Sequence, residues 1–317
     1  MNLFLRLVST AVLWTLVLGV ILFDWLPGYY IIIPALGGIG IWEFYRAMEL
    51  RGIRVFKKSG TITGVLYLLG NIYFQCGAAP LWLDFLSLEL MGLIVLMLGM
   101  LSRQVFDRSQ PTPVVSVAVT LFGLLYVIWL FSFVVHVRFF PHSSPEGIDA
   151  NREGAMLLVY LLVVAKMHDA GALITGKMLG RHKMIPKLSP KKTWEGFVGG
   201  LIAATVSSVL LVMLFPQELS RVGQIWCLPL GLLLGLLSVV GDLAESVVKR
   251  DLDLKDSGHC IPGIGGVLDL IDSILFSAPV FYLYLKWQHL FASKTEWLIQ
   301  STEFLFSVCQ GSNMQFF

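Results

Sequence analysis

Runs of about twenty apolar residues return nine times along this chain, and no other feature restricts the fold as strongly. Crossing the hydrocarbon core of a bilayer takes about 20 mostly apolar helical residues. Within that core, only a helix or a closed barrel satisfies its own backbone groups. The runs fall at 3–23, 29–48, 61–76, 83–101, 114–135, 155–175, 197–215, 226–248 and 265–286. The expected fold class is therefore all-α, a polytopic integral membrane protein with about nine transmembrane helices. The first run resembles a secretory signal, but it is longer than a usual signal core and no small-x-small cleavage site follows it, so it counts as a span. The stretch 296–309 is apolar but short, and is expected at the membrane interface. Only 14% of the 317 residues are charged, against about 25% in soluble domains, so a water-soluble core does not account for the runs.

The net charge of +2 is uninformative as a total, but its distribution orients the spans. With the N-terminus in the cytoplasm, the loops after spans two, four, six and eight face inward. They carry sixteen basic residues: Arg46, Arg51, Arg54, Lys57 and Lys58; Arg103 and Arg108; Lys177, Arg181, Lys183, Lys187, Lys191 and Lys192; Lys249, Arg250 and Lys255. The opposite side carries five, namely Arg138, Arg152, Arg221, Lys286 and Lys294. This is the positive-inside asymmetry. Cys76, Cys227, Cys260 and Cys309 stand far apart with no CxxC pair, which suggests neither a zinc site nor a disulfide framework. The chain divides into N-terminal helices at 1–111 and a region at 112–317 with two polar cytoplasmic loops, 176–196 and 249–262.

An ionisable side chain inside a span costs about 2.5–3.5 kcal/mol on insertion scales and asks for a reason. Span six carries Asp169, span eight Asp242 and Glu245, and span nine Asp269 and Asp272. Counted from the nearest cytoplasmic loop, Asp169, Asp242 and Asp269 each lie about 10–12 Å along their helices. Asp242, Glu245 and Lys249 share one helical face, as do Asp269 and Asp272. Carboxylates gathered at low dielectric repel unless a cation or proton joins them. Oxygen ligands suit magnesium, which takes one or two carboxylates plus substrate phosphates. Asp242 and Asp269 are the expected metal ligands with Asp169 assisting, and Glu245 and Asp272 support them. The bland alternative pairs these acids with Lys166 or Lys249. Lys166, three residues before Asp169, is either its charge partner or a phosphate contact. An ion pathway through a transporter would also use such carboxylates.

The loop at 180–196 reads GRHKMIPKLSPKKTWEG. Pro186 and Pro190 oppose a continuous helix. Lys187, Ser189, Lys192 and Thr193 offer the ammonium and hydroxyl groups that polyphosphate needs, while the loop could equally serve topology or meet anionic lipid. It lacks P-loop spacing. Thr193 is also placed to cap span seven.

The stretch 246–272 reads SVVKRDLDLKDSGHCIPGIGGVLDLID. It resembles the signature of the phosphatidate cytidylyltransferases, also called CDP-diacylglycerol synthases, through Ser246, Lys249, Arg250, Lys255, Asp256, Gly258, Ile261, Pro262, Gly263, Gly265, Gly266, Asp269 and Asp272. Ile264 stands where that family usually has His, and Leu270 where it has Arg. The runs GDLAESVVKR, KLSPKKTWEG and WEFYRAMELRG are similar to further family segments, as is Asp169-Ala-Gly-Ala, with Leu173 replacing the usual Tyr.

This resemblance implies a membrane enzyme that takes CTP and phosphatidate to CDP-diacylglycerol and pyrophosphate, with Mg2+ and room for a second cation such as K+. It implies catalytic roles for Asp242, Asp269, Lys249 and Asp256. Lys187, Ser189, Lys192, Thr193, Arg250, Lys255, His259, Gly265 and Gly266 would bind phosphate. The expected location is a bacterial inner membrane with the site facing the cytoplasm. No nucleic-acid partner is expected, and a homodimer is left open. A related CTP-dependent enzyme acting on another lipid remains the alternative.

Overall fold

A computed structural model describes residues 3–78, 92, 94–95, 97–102, 113–140, 150–253, 258 and 265–311. Lys255, Asp256, His259, Gly263 and most of the expected span at 83–101 lie outside the described residues. Helix α1 is Leu3–Leu22 and α2 is Leu26–Leu50, opened by a proline in its first turn, where a missing N–H is harmless. Helix α2 ends in a Schellman motif. Gly52 adopts φ +76, its N–H reaches Glu49 O at 2.9 Å, and Ile53 N reaches Met48 O at 3.1 Å. Helix α3 (Lys57–Tyr73) runs into a π-helical turn at Phe74–Ala78. Helix α4 (Pro113–Arg138) contains a π-helical stretch at Leu124–Trp129.

Helix α5 (Ala150–Met178) leads into strands β1 (Lys183–Ile185) and β2 (Ser189–Thr193). Then follow α6 (Trp194–Leu214), α7 (Cys227–Asp251) and α8 (Leu268–Gly311). The expected non-helical loop at 180–196 is built around a short antiparallel hairpin in an otherwise helical chain. Its prolines deny the segment a helix, and the register slips between the Lys183–Thr193 and Ile185–Ser189 pairs, where Pro190 brings no N–H to the ladder. Helix α8 continues without a break through 296–309, where a separate interfacial piece was expected.

Six helices among the described residues are long and apolar enough to cross a membrane: Leu26–Leu50, Pro113–Arg138, Asn151–Met178, Trp194–Leu214, Cys227–Asp251 and Leu268–Phe291. Helices α1 and α3 occupy two further expected positions. On α6 the exposed residues Val198, Ile202, Val206 and Leu210 repeat every four positions, while Gly200, Ala204 and Ser208 face inward and are buried. A large apolar stripe turned outward, with small residues turned inward, is the pattern of a helix packed in lipid. The α5–α6 crossing shows why those inner residues are small. A Cβ on Gly171 would come 2.4 Å from Ala203 Cβ, and one on Gly199 2.2 Å from Thr175 Oγ1. The protein is therefore an integral membrane protein built as a helical bundle, with its polar side chains gathered where α5, α7, α8 and the hairpin meet.

Candidate active site

Helix α5 brings three polar side chains to the centre of the bundle. Lys166 Nζ donates to Leu270 O and to Ser273 Oγ, both at 2.8 Å, and to Asp169 Oδ2 at 3.3 Å. The ammonium thus ties α5 to the first turns of α8. The other oxygen of Asp169 accepts from Ser238 Oγ of α7 at 3.1 Å and lies 3.3 Å from His168 Nδ1. Three side chains from two helices therefore hold one carboxylate, and the i,i+3 spacing of Lys166 and Asp169 makes the contact that it suggested.

Strand β2 and helix α7 form the neighbouring wall. Lys192 Nζ sits 2.7 Å from Asp242 Oδ2, a charge contact without hydrogen-bond alignment. Thr193 Oγ1 accepts from Gly196 N at 3.1 Å, as an N-cap of α6 should. The fit of the hairpin against the helices is reinforced by Arg250, whose Nε donates to Leu188 O at 3.1 Å. Asp169, Asp242, Lys191, Lys192, Thr193 and His168 all line one cavity of about 210 Å³. Lys187 and Ser189, on the same hairpin, are not among its lining residues.

The start of α8 forms a second cluster. Gly265 takes φ +122, which only glycine adopts readily, and Gly266 N donates to Asp269 Oδ2 at 2.8 Å. Lys249 Nζ donates to Asp269 Oδ1 at 2.8 Å and to Glu245 Oε2 at 3.0 Å. Glu245 and Asp272 are both buried. Asp272 lies within electrostatic reach of Lys166, Asp242 and Asp169 on one side and of Glu245 on the other, and so stands between the two clusters.

Each of the three expected ligands therefore faces a lysine: Asp169 faces Lys166, Asp242 faces Lys192, and Asp269 faces Lys249. Among the described residues, no three His, Cys, Asp or Glu side chains converge as a complete metal shell. Magnesium does not require one, because it commonly takes one or two carboxylates and fills its octahedron with water and substrate phosphate. Asp169 and Asp242 line the same cavity and fit that demand. Asp269 is engaged outside that cavity's lining.

Several polar residues were not singled out from the sequence. His168 is buried beside Asp169, Ser238 holds Asp169 from α7, and Glu43 of α2 is buried against α8. Tyr126, in the π-helical stretch of α4, is buried with its hydroxyl unpartnered among the described residues, near Glu245, Asp272 and Asp242. Glu43 carried a usable signal: it is an acid inside a span, the same criterion that flagged the aspartates.

A profile described as the cytidylyltransferase family matches residues 4–288. The chain is 30% identical to a phosphatidate cytidylyltransferase of Bacillus subtilis strain 168 over 260 residues, which is 81% of this chain and 88% of that protein. It is 32% identical to a phosphatidate cytidylyltransferase of Staphylococcus aureus strain COL over 240 residues, 75% of this chain and 83% of the relative. It is 33% identical over 215 residues to the uncharacterized protein YnbB of Escherichia coli K12, 68% of this chain and 67% of YnbB.

Proposed function

This chain belongs to the cytidylyltransferase family and is a nucleotidyltransferase, and on that premise we propose that it transfers the cytidylyl group of CTP to phosphatidate, at a site facing the cytoplasm of a bacterial inner membrane. The observation that carries the reading is the cavity where Asp169, Asp242 and Lys192 meet from three separate elements inside a lipid-facing bundle. One substrate is a water-soluble polyanion, and the other is a lipid whose phosphate lies near the interface. A cavity framed by membrane helices and lined by both charged and apolar side chains suits both.

A phosphate oxygen of phosphatidate attacks the α-phosphorus of CTP. The bond between that phosphorus and the bridging oxygen of the β-phosphate breaks, and pyrophosphate leaves. The attacking phosphate is already anionic near neutral pH, so the chain need not supply a strong base. Asp242 and Asp169 would hold magnesium, which when bound neutralises the charge that builds on the transferring phosphoryl group. Lys192 balances Asp242 before substrate arrives and is within reach of phosphate in the same cavity. Thr193 Oγ1 accepts from Gly196 N, so its own proton can turn toward a phosphate oxygen. Lys249 donates to both Asp269 and Glu245 at the head of α8, while Arg250 holds the hairpin against α7.

The direct test incubates the protein in lipid nanodiscs with labelled CTP, magnesium and phosphatidate. CDP-lipid and pyrophosphate are expected in equal amounts. Product from another phosphorylated lipid but not from phosphatidate would change the acceptor, and no CDP-lipid from any of them would overturn the reading. The cavity also separates two lysines of one hairpin. Lys192→Met is expected to raise the KM for CTP about 10–100-fold, the range for losing a charge-assisted phosphate contact. Lys187→Met, off the cavity lining, is expected to stay within about threefold, as surface changes usually do. Steady-state kinetics against CTP checks both, and equal effects would remove Lys192 from the nucleotide site.

A further inference from the structure

We infer that Glu43 is a positioning residue for the head of α8, and that through this role, given cytidylyl transfer as the reaction, the N-terminal half of the chain governs turnover. Glu43 lies in the C-terminal half of α2, inside the run at 42–52, and far in sequence from the residues assigned to binding or reaction. Its residue is only 2% exposed, so its carboxylate is removed from both water and lipid. Such a group persists where fixed dipoles or hydrogen bonds replace its hydration.

The start of α8 supplies them. Glu43 Oε2 accepts from Leu268 N at 3.0 Å, across 225 residues of sequence. Leu268 is the first residue of α8, and the first four N–H groups of a helix have no partner within it. A carboxylate there also faces the positive end of the helix dipole. Two glycines bring the chain close enough. A Cβ on Gly266 would come 2.7 Å from Glu43 Oε2, and one on Gly258 2.2 Å from Oε1. Both approaches are tighter than any side chain permits, so the backbone closes directly on this acid. Oε1 has no hydrogen-bond partner among the described residues.

The consequence reaches the second cluster within one turn. Gly266, held against Glu43, donates its N–H to Asp269 Oδ2 at 2.8 Å, and Asp269 Oδ1 takes Lys249 at 2.8 Å. Glu43 thus sets the rotation and depth at which α8 begins, and with them where Asp269 and Asp272 point. Removing its acceptor releases Leu268 N and the Gly266 approach together. Leu270 O and Ser273 Oγ of the same turns accept from Lys166, which also holds Asp169, so a shift of the α8 head reaches the cavity, and a misplacement of about 1 Å at a reacting centre can cost about a hundredfold in rate.

The experiment compares wild type, Glu43→Ala and Glu43→Gln in nanodiscs. Glu43→Ala is expected to lower kcat for CDP-lipid formation about a hundredfold, with KM for CTP changed little, because the nucleotide cavity lies elsewhere. Glu43→Gln is expected to recover most of the rate, since its amide oxygen can accept from Leu268 N. Hydrogen exchange provides a readout independent of activity. The amides at 266–270 are expected to exchange about tenfold faster in Glu43→Ala, the equivalent of one lost hydrogen bond, and to be protected again in Glu43→Gln. An unchanged kcat in Glu43→Ala beside an active wild type overturns the inference. So does equal loss in both variants, and so does unchanged exchange at 266–270. A wild type that makes no CDP-lipid overturns the cytidylyl-transfer reading instead, and the exchange measurement then still decides whether Glu43 holds the head of α8.

Discussion

Replacing Asp242 by Asn is expected to lower CTP-dependent CDP-lipid formation about a thousandfold or more, while the protein still accumulates in the membrane. A metal-held phosphoryl group draws several kcal/mol of stabilisation from the charge of its ligands, and each ~1.4 kcal/mol is a factor of ten in rate. Asn keeps the volume and one acceptor oxygen but lacks the negative charge. The folding cost is small by comparison. Asp242 is 37% exposed and Lys192 23% exposed at the side chain, and pairs this wet contribute about 0–1 kcal/mol. A purely structural pair would behave differently: Asp242→Asn would leave turnover intact, and Asp242→Asn with Lys192→Met would match the wild type. Labelled-CTP turnover in the single and double variants, titrated with magnesium, distinguishes the two. Retained activity in Asp242→Asn would remove this residue from the reacting centre.

Lys249→Met is expected to cost about 3–5 kcal/mol of stability. Lys249 is the charge partner of both Glu245 and Asp269, and the Glu245 side chain is only 1% exposed. Removing the ammonium leaves two carboxylates beside the buried Asp272 with much of their compensation gone. Breaking a buried pair from one side costs far more than exchanging the whole pair for apolar groups, because an uncompensated charge remains. Adding Glu245→Gln to the Lys249→Met chain is therefore expected to raise the thermal midpoint in detergent above that of the single variant. A single variant as stable as wild type, or a double variant no better than the single, would show that Lys249 does not neutralise this cluster.

The sequence reading went furthest where local spacing is enough. Acids inside apolar runs flagged Asp169 and Asp242, and helical depth counting put them at one level; the structure brings both to a single cavity. Spacing also anticipated the Lys166–Asp169 and Glu245–Lys249 contacts. The shared face of Asp242, Glu245 and Lys249 on one helix did not say which partner each would take. In the folded chain Asp242 turns to Lys192 of the hairpin, while Glu245 joins Lys249 and Asp269. A helical face is broad, and which neighbour claims each residue depends on elements distant in sequence. The hairpin itself was legible only as a segment that could not be a helix. Pro186 and Pro190 exclude one conformation without selecting its replacement.

Hydropathy and intramembrane acids were enough, from the sequence alone, to indicate a helical membrane protein with polar side chains gathered inside its bundle. Each of these is a property of neighbouring residues and of the solvent they require. Only the tertiary structure decided the partners: Ser238 on Asp169 across 69 residues, Lys166 on Leu270 across 104, and Glu43 on Leu268 across 225. Those pairings arise because burial forces each polar group to find a complement wherever packing has placed one, and no period along the chain records where that is.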